Sequence, residues 1–237
     1  MYILGIDTSA VTATAAVCRE EDGVIKEHAL FSLKNGLTHS ENLLPLIDGV
    51  MRAMGVTAAE LGLIAVTAGP GSFTGVRIGV ATAKGLAFAH GIPCAGVSAP
   101  EIIARNCAGY GGIVCPVMDA RRNQFYNALF ENGKRLCEDR CVSFGEIFAE
   151  IKDRGAMLCG DGARLFYSLC GGKGNVKMPS LCTEDQNALS VCEVGYEKFL
   201  RGETVTHSAL RPVYLRVSQA ERERNERTEN DERNGKK

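Results

Sequence analysis

The sequence predicts an α/β fold of two related lobes, each built on a mixed β-sheet flanked by helices. Two observations predict the first lobe: three β-rich segments separated by short turns open the chain, and helix-like and strand-like segments then alternate. A third observation predicts the second lobe, because a strand, a polar turn and another strand recur from residue 112 onward.

The first three strands are predicted from short runs rich in β-forming residues. They cover residues 2–6, 13–18 and 24–33, with polar turns at residues 7–9 and 21–23. Because the connections are so short, we expect these strands to pair in antiparallel order.

Alternating helices and strands fill the rest of the first hundred residues. Apolar residues at helical spacing predict a helix over residues 40–54, capped by Ser40 and closed by Gly55, in which Pro45 implies a kink or a later start. The segments that follow are a strand over residues 63–67, a loop over 68–74, a helix over 75–90, a strand over 94–97 and a helix from Glu101.

The layout of the opening returns near the middle of the chain. Residues 112–120 and 125–130 form a strand ending in Asp119, a polar turn and a second strand, and the segment around Asp7 has the same layout. The two acids lie 112 residues apart, since 119 minus 7 is 112. This spacing predicts a duplicated architecture; two hairpins that only look alike are the alternative.

These patterns divide the chain into three parts. We expect one lobe over residues 1–105 and a second over 106–217, whose last helix packs back on the first lobe. Residues 218–237 are strongly charged, with both signs, and include almost no apolar side chains. Because such a segment cannot bury enough surface to offset the entropy of ordering, we expect a disordered tail.

Charge and cysteine usage disfavour several classes of protein. The 27 Lys and Arg residues nearly balance 28 Asp and Glu residues, and the net charge of −1 disfavours unaided binding of nucleic acid. The 10 cysteines include no Cys-x-x-Cys pair, so buried thiols are favoured over a zinc site or a disulfide framework. No apolar run is long enough to span a membrane, and no secretion signal opens the sequence. We therefore expect a cytoplasmic protein.

Few motifs carry chemistry. The loop from Gly69 to Gly75 joins a strand to a helix N-terminus, where an anion could bind, but it is not a P-loop and a structural helix entry is the alternative. Asp7 and Asp119 could together hold a hydrated Mg²⁺ ion, or each could cap a turn. The four histidines show no metal-ligand spacing, and the serine nucleophile motif Gly-x-Ser-x-Gly is missing.

One predicted helix carries a row of small residues. Gly75, Gly79, Ala83 and Ala87 recur every four residues along the helix over 75–90. Such a row lets another helix approach closely. The row could pack against either of two partners: the helix over residues 40–54 in the same lobe, or another subunit.

Three segments together carry a resemblance to a known family. They read Gly-Ile-Asp-Thr-Ser from residue 5, His-Ser-Glu-Asn-Leu-Leu-Pro from residue 39, and Gly-Pro-Gly-Ser-Phe-Thr-Gly-Val-Arg-Ile-Gly from residue 69. With these segments the chain resembles the TsaB (YeaZ) family of bacterial tRNA threonylcarbamoyladenosine synthesis. The resemblance covers residues 1 to 110 strongly, and residues 114–130 and 211–216 more loosely.

The resemblance implies the fold shared by actin, sugar kinases and Hsp70, known as ASKHA. It implies a non-catalytic subunit required for N6-threonylcarbamoyladenosine formation in tRNA, which binds and activates the catalytic subunit TsaD together with TsaE. The chain would then carry no cofactor of its own, the complex would use ATP and Mg²⁺, and tRNA would bind through the complex. TsaD-like proteins have a His-x-x-x-His metal motif, whereas this sequence has Val-Ser-Ala-Pro-Glu-Ile-Ile from residue 97.

The same resemblance implies a partner surface on the two helices of the first lobe. TsaD would pack on this surface, or a second copy of the chain would do so in a homodimer. The residues expected there are His39, Leu43, Leu46, Ile47, Val50, Gly75, Ile78, Gly79, Thr82, Ala83 and Leu86.

Two enzymatic functions stay open as alternatives. An ATP-dependent kinase or ATPase of the same fold would bind Mg²⁺ and nucleotide through Asp7, Thr8, Asp119, Gly160 and Gly162. A glycoprotease is the other alternative, although it would need a metal or nucleophile site that the sequence does not offer.

Overall fold

The computed structural model describes residues 1–216, apart from the side chains of residues 181 and 182. Its first sheet has the strand order β3-β2-β1-β4-β5. Strand β1 pairs antiparallel with β2 and parallel with β4, so the sheet is mixed, as predicted. The strands are β1 (Tyr2–Asp7), β2 (Ala13–Glu21), β3 (Val24–Leu33), β4 (Leu61–Gly69) and β5 (Cys94–Ser98).

The second sheet repeats the first. Its order is β10-β7-β6-β11-β12, with β6 antiparallel to β7 and parallel to β11. A short pair, β8 and β9, extends from β6. The strands are β6 (Ile113–Asp119), β7 (Gln124–Asn127), β8 (Phe130–Glu131), β9 (Lys134–Arg135), β10 (Arg140–Ser143), β11 (Ala156–Cys159) and β12 (Val176–Lys177). Because order and direction match the first sheet, the predicted repeat of two related lobes is confirmed.

Helices connect equivalent strands in the two sheets. Helices α1 and α2 follow β3 and β4, and α4 and α5 follow β10 and β11 in the same way. The helices are α1 (His39–Met54), α2 (Phe73–His90), α3 (Ala99–Arg105), α4 (Phe144–Ile151), α5 (Ala163–Cys170), α6 (Leu181–Glu184) and α7 (Ala188–Leu200), with a 3-10 turn at Ala58–Glu60. None of the helices in residues 1–216 combines the length and hydrophobicity that a membrane span requires.

Helix α1 begins at a different cap from the predicted one. Thr38, not Ser40, is the N-cap, and it forms a capping box with Glu41. The backbone N–H and the hydroxyl of Thr38 both donate to Oε2 of Glu41, at 3.1 and 2.8 Å. Pro45 lies inside the helix, so the later start is wrong. The Thr-x-x-Glu spacing of Thr38 and Glu41 is the sequence pattern of a capping box, and it favours the earlier N-cap.

Helix α2 also starts earlier than predicted, at Phe73. Its cap is Ser72, whose hydroxyl oxygen accepts the N–H of Gly75 at 3.2 Å. On the other side of the first sheet, α7 lies against β1 and β4. Gly5 and Gly195 make this contact close, because a Cβ on Gly5 would meet the carbonyl oxygen of Ala188 and a Cβ on Gly195 would meet the side-chain Cβ of Ala65.

The first sheet is therefore covered on both faces. One face carries α1 and α2, whose apolar side chains form a single buried cluster with β1 and β4. The opposite face packs on α7 and α3, and that cluster continues into the second lobe. The charged tail predicted for residues 218–237 lies outside the described residues.

Candidate functional site

A cleft of about 380 Å³ opens between the two lobes, where the equivalent strands β1 and β6 end. The start of α2, the turn after β6 and the last described residues surround it. Its lining includes Ser9, Ser72, Asp119, Arg121, Asp161 and Tyr214. This edge of each sheet is where polar strand-end residues meet, so it is the first candidate site.

Asp7, at the end of β1, is fully buried and holds the loop that follows it. Its carboxylate accepts the backbone N–H of Ser9 at 2.8 Å and the hydroxyls of Ser9 and Thr67. Burial raises the pKa of Asp7 to about 6, an effect that these hydrogen bonds only partly oppose. Both carboxylate oxygens are thus engaged within the chain.

Thr8 joins the same loop to helix α2. Its hydroxyl donates to the backbone oxygen of Gly75 at 2.7 Å. A Cβ on Gly75 would meet the carbonyl oxygen of Thr8, and one on Gly79 would lie 2.5 Å from the Thr8 hydroxyl. Two members of the predicted row of small residues, Gly75 and Gly79, therefore let α2 approach the end of β1.

Asp119 and Asp161 bring two carboxylates to the second lobe's side of the cleft. Asp119 accepts the N–H of Arg121 at 2.7 Å and pairs with the Arg121 guanidinium at 3.1 Å. Burial, reinforced by the charges of Asp119 and Asp185, raises the pKa of Asp161 to about 7. One oxygen of Asp161 is buried and has no hydrogen-bond partner among the described residues. Of these two acids, the sequence pattern pointed only to Asp119.

Gly160 and Gly162, expected beside a nucleotide, pack directly on strand β6. A Cβ on Gly160 would lie 2.5 Å from the carbonyl oxygen of Val117, and one on Gly162 would lie 2.9 Å from the backbone nitrogen of Asp119. Close backbone approach is therefore sufficient to explain both glycines. Among the described residues, no group of three or more His, Cys, Asp or Glu side chains is arranged to hold a metal ion.

The last described residues form a strap along the cleft, which sequence reasoning did not assign to any site. The N–H of Val213 donates to Ala68 at 2.7 Å, and the Tyr214 ring lies 4.8 Å from that of Phe73. Arg77 donates to the Tyr214 hydroxyl at 2.8 Å. Nη1 of Arg216 then reaches the second lobe, donating to the backbone oxygen of Ala120 at 2.7 Å.

The second candidate region is the outer surface of α1 and α2. Most of the residues predicted to bind a partner are instead buried in the first lobe itself, where they pack on the sheet. The buried ones are Leu43, Leu46, Ile47, Val50, Gly75, Gly79 and Ala83. The half-buried ones are His39, Ile78, Thr82 and Leu86. The buried residues are not available to a partner, whereas the half-buried ones are partly exposed and lie beside exposed neighbours.

Helix α2 has a second row of small residues, and this one faces solvent. Ala81, Gly85 and Ala89 are exposed, and a Cβ on Gly85 would touch nothing within 4 Å. They lie on the same side of the helix as exposed Thr74 and half-buried Ile78, and none of these side chains is charged. We call this set the α2 outer face.

A groove of about 400 Å³ continues the α2 outer face toward α1. Leu37, His39 and Ser40 line it from one side, and Thr74 and Ile78 from the other. Nε2 of His39 lies 2.6 Å from the backbone oxygen of Ala10, while its buried Nδ1 has no partner among the described residues. Leu37 and Leu44, each 58% exposed, add apolar surface beside the groove.

Comparison with known proteins gives relatives over almost the whole chain. The family model described as "TsaD: tRNA N6-adenosine threonylcarbamoyltransferase" matches residues 34–157. The tRNA threonylcarbamoyladenosine biosynthesis protein TsaB of Bacillus subtilis strain 168 is 34% identical over 231 residues, which cover 93% of this chain and 96% of that protein. The TsaB of Escherichia coli K12 is 29% identical, over 91% of this chain and 95% of that protein.

Solved structures show the same fold. YeaZ from Pseudomonas aeruginosa superposes with a TM-score of 0.74 at 22% identity, covering 90% of this chain and 99% of that one. A second structure, an uncharacterized protein with similarity to peptidase YEAZ from Pseudomonas aeruginosa, gives a TM-score of 0.75 at 23% identity and covers 91% and 99% of the two chains. Together with the repeated sheet order, this likeness confirms the predicted two-lobed ASKHA fold.

Proposed function

The chain belongs to the TsaB family of tRNA threonylcarbamoyladenosine biosynthesis proteins, and from this premise we propose that it is the non-catalytic subunit that binds and activates TsaD. In this role the chain supplies a docking surface, while threonylcarbamoyl transfer to tRNA takes place on TsaD. TsaE joins the same assembly. ATP and Mg²⁺ serve the complex, and this chain holds no cofactor of its own.

The observation that carries this proposal is the α2 outer face. Small, uncharged side chains allow the backbone of a second helix to come close, and their burial costs little conformational entropy. The adjacent groove and the exposed Leu37 and Leu44 extend the apolar area onto α1. An uncharged helix face with apolar surface beside it is suited to a helical partner rather than to a small polar substrate.

The family match supports TsaD as that partner. The TsaD family model covers residues 34–157, which include both α1 and α2. A related protein would carry equivalent helices, so the two outer faces could meet around a pseudo-twofold axis as four packed helices. A second copy of this chain could use the same face, and we propose a homodimer when TsaD is absent.

The near-zero net charge supports tRNA contact through the partner. With a net charge of −1, the chain lacks the basic field that gives proteins affinity for phosphate backbones. The tRNA would therefore bind through the complex rather than directly to this chain. Such a role belongs in the cytoplasm, where tRNA is modified.

A second candidate function is ATP binding in the interlobe cleft. The cleft and its carboxylates Asp119 and Asp161 favour it. Against it stand the engaged oxygens of Asp7 and the packing roles of Gly160 and Gly162. Titration of ATP and Mg²⁺ into the isolated chain separates the two functions, since saturable micromolar binding would favour an enzyme.

The decisive experiment reconstitutes tRNA modification with and without this chain. TsaC, TsaD and TsaE from the same organism are mixed with tRNA, ATP, threonine and bicarbonate, and the modified nucleoside is measured by mass spectrometry. We expect modification to depend on the added chain. Equal modification in its absence would refute the proposed function.

A further inference from the structure

Arg135, on β9, makes hydrogen bonds to both lobes across their junction. Within the second lobe, its Nη1 donates to Oδ1 of Asp139 at 2.6 Å. Its Nη2 donates to Oγ of Ser98 and to Oε2 of Glu101, both at 3.2 Å, and these two acceptors belong to the first lobe. A single guanidinium group therefore joins the two lobes directly.

The second lobe positions this guanidinium group by contacts of its own. Cζ of Arg135 lies 4.8 Å from the centroid of the Phe130 ring, and the two residues are paired in the short ladder of β8 and β9. Arg135 and Asp139 form an ion pair between two half-buried side chains. Because the ring and the carboxylate hold the planar group in place, little conformational entropy is lost when Nη2 binds the first lobe.

The first-lobe acceptors lie at the start of α3, which leads into the connection between the lobes. Ser98 ends β5 and caps α3, since its hydroxyl oxygen also accepts the N–H of Glu101 at 3.3 Å. Asn106 follows α3, and its Nδ2 donates to the backbone oxygen of Asp185 at 2.8 Å. Asp185 lies between α6 and α7, where the chain returns to the first sheet. The two connections between the lobes are thus held side by side.

The lobes leave a gap beside these hydrogen bonds. A cavity of about 320 Å³ is lined by Glu101 and Ala104 of α3 and by Phe130, Gly133 and Arg135 of the second lobe. Protein interiors contain few voids larger than a water molecule, so a cavity of this size marks a place where the two lobes do not pack closely. The polar contacts of Arg135 span the junction at this point.

We propose that Arg135 is an interlobe latch. Bound to Ser98 and Glu101, it holds the two lobes in one relative orientation. When these bonds break, the lobes are free to rotate about the paired connections at Asn106 and Asp185. The latch is a conformational device that is separate from the α2 outer face.

Strand β6 connects the latch to the interlobe cleft. Val114, near the start of β6, lines the cavity beside Arg135, and Asp119, its last residue, lines the cleft. At about 3.3 Å per residue, these two positions are about 16 Å apart along the strand. A rotation that widens the junction at one end of β6 therefore changes the width of the cleft at the other end.

The test measures the relative orientation of the lobes in the full chain by NMR residual dipolar couplings of the backbone amides. In the unmodified protein, we expect a single alignment tensor to describe both lobes. Glu101→Ala removes the carboxylate that binds Nη2 of Arg135, and the two lobes should then require separate tensors. Exchange on the μs–ms timescale should also appear in relaxation dispersion at residues near Asn106.

The matched control is Glu150→Ala. It removes the ion pair between Arg140 and Glu150, at 2.8 Å, which lies wholly within the second lobe between β10 and α4. Local stability should fall in this variant, but one tensor should still describe both lobes. Separate tensors in the control would contradict the proposal, because the effect would then not depend on a contact between the lobes.

A second variant, Arg135→Lys, keeps the test decisive if Glu101→Ala fails to fold. Lysine retains the positive charge, but its compact ammonium group lacks the fork that binds Asp139 and the first lobe together, so separate tensors are expected here too. If both lobes of a folded variant still share one tensor, the proposal is wrong. It is also wrong if the unmodified chain already requires two tensors. The readout is independent of any activity in tRNA modification.

Discussion

Gly79 of helix α2 lies directly over Thr8, so that a Cβ on Gly79 would come within 2.5 Å of the Thr8 hydroxyl. That hydroxyl is already committed to the backbone oxygen of Gly75 at 2.7 Å. The contact fixes which side of α2 packs on the sheet, and it therefore fixes which side is left for a partner.

The first prediction concerns this contact. Replacing Gly79 with leucine should lower the free energy of unfolding by about 1–3 kcal/mol, because the added side chain forces α2 away from Thr8. Chemical denaturation monitored by circular dichroism measures the effect. The control is Gly85→Ala, which adds a methyl group to open space and should stabilise the helix by up to about 1 kcal/mol. Equal effects at the two glycines would contradict the assigned orientation of α2.

The second prediction tests the partner surface. Ala81→Arg places a long charged side chain on the α2 outer face and should weaken binding to TsaD at least about tenfold, which corresponds to about 1.4 kcal/mol. Binding is measured by calorimetry or by pull-down with purified TsaD. The matched control is Ala149→Arg, at an exposed position of α4, the equivalent first helix of the other lobe. If Ala81→Arg folds and binds TsaD as well as the control does, the α2 outer face is not the contact.

The third prediction concerns the strap. Tyr214→Ala removes the ring that contacts Phe73 and the hydroxyl that binds Arg77. An aromatic pair contributes about 0.5–1.5 kcal/mol, so hydrogen exchange at the Val213 amide should accelerate up to about tenfold. Tyr214→Phe keeps the ring contact and should preserve most of the protection. Unchanged exchange in Tyr214→Ala would show that the Tyr214 side chain does not hold the strap.

The fourth prediction is a pH dependence that arises from Asp161. Burial raises its pKa from 3.8 to about 7, so between these values the folded state binds more protons than the unfolded state. Stability contributed by this group must then fall as pH rises from about 4 to 7. Asp161→Asn should therefore stabilise the protein more at pH 8 than at pH 4, as measured by thermal unfolding.

The control for the pH experiment is Asp153→Asn. Asp153 lies in the same lobe, but its side chain is 85% exposed, so its removal should leave the pH profile of stability almost unchanged. A stabilisation by Asp161→Asn that is the same at pH 4 and pH 8 would mean that the carboxyl of Asp161 is not destabilised by burial.

Much of the architecture could be predicted because strand and helix patterns are local. The strand ending at Asp7 and its repeat ending at Asp119 are recognisable from apolar runs and turn residues alone. The earlier start of α1 was also within reach, since Thr38 and Glu41 have the spacing of a capping box. Local signals of this kind need no knowledge of what the segment packs against.

The candidate site was harder to predict because it depends on contacts between distant segments. Tyr214 contacts Phe73 although the two residues are far apart in the sequence, and no periodic pattern in the sequence predicts such a contact. The sequence pattern pointed to Gly160 and Gly162 rather than to Asp161 between them. A single acidic residue in a turn does not indicate that its side chain will be buried near Asp119.

The sequence by itself determined the duplicated α/β architecture, the near-neutral charge and a helix rich in small residues. It could not decide which of two small rows on α2 faces inward, since the row through Gly79 and Ala83 and the row through Ala81 and Gly85 have the same four-residue period. Only the tertiary structure decided this, because the end of β1 presents Thr8 at a distance that one row alone can tolerate. The row through Ala81 and Gly85 is therefore exposed, and the surface proposed for TsaD follows from this orientation of α2 on the sheet.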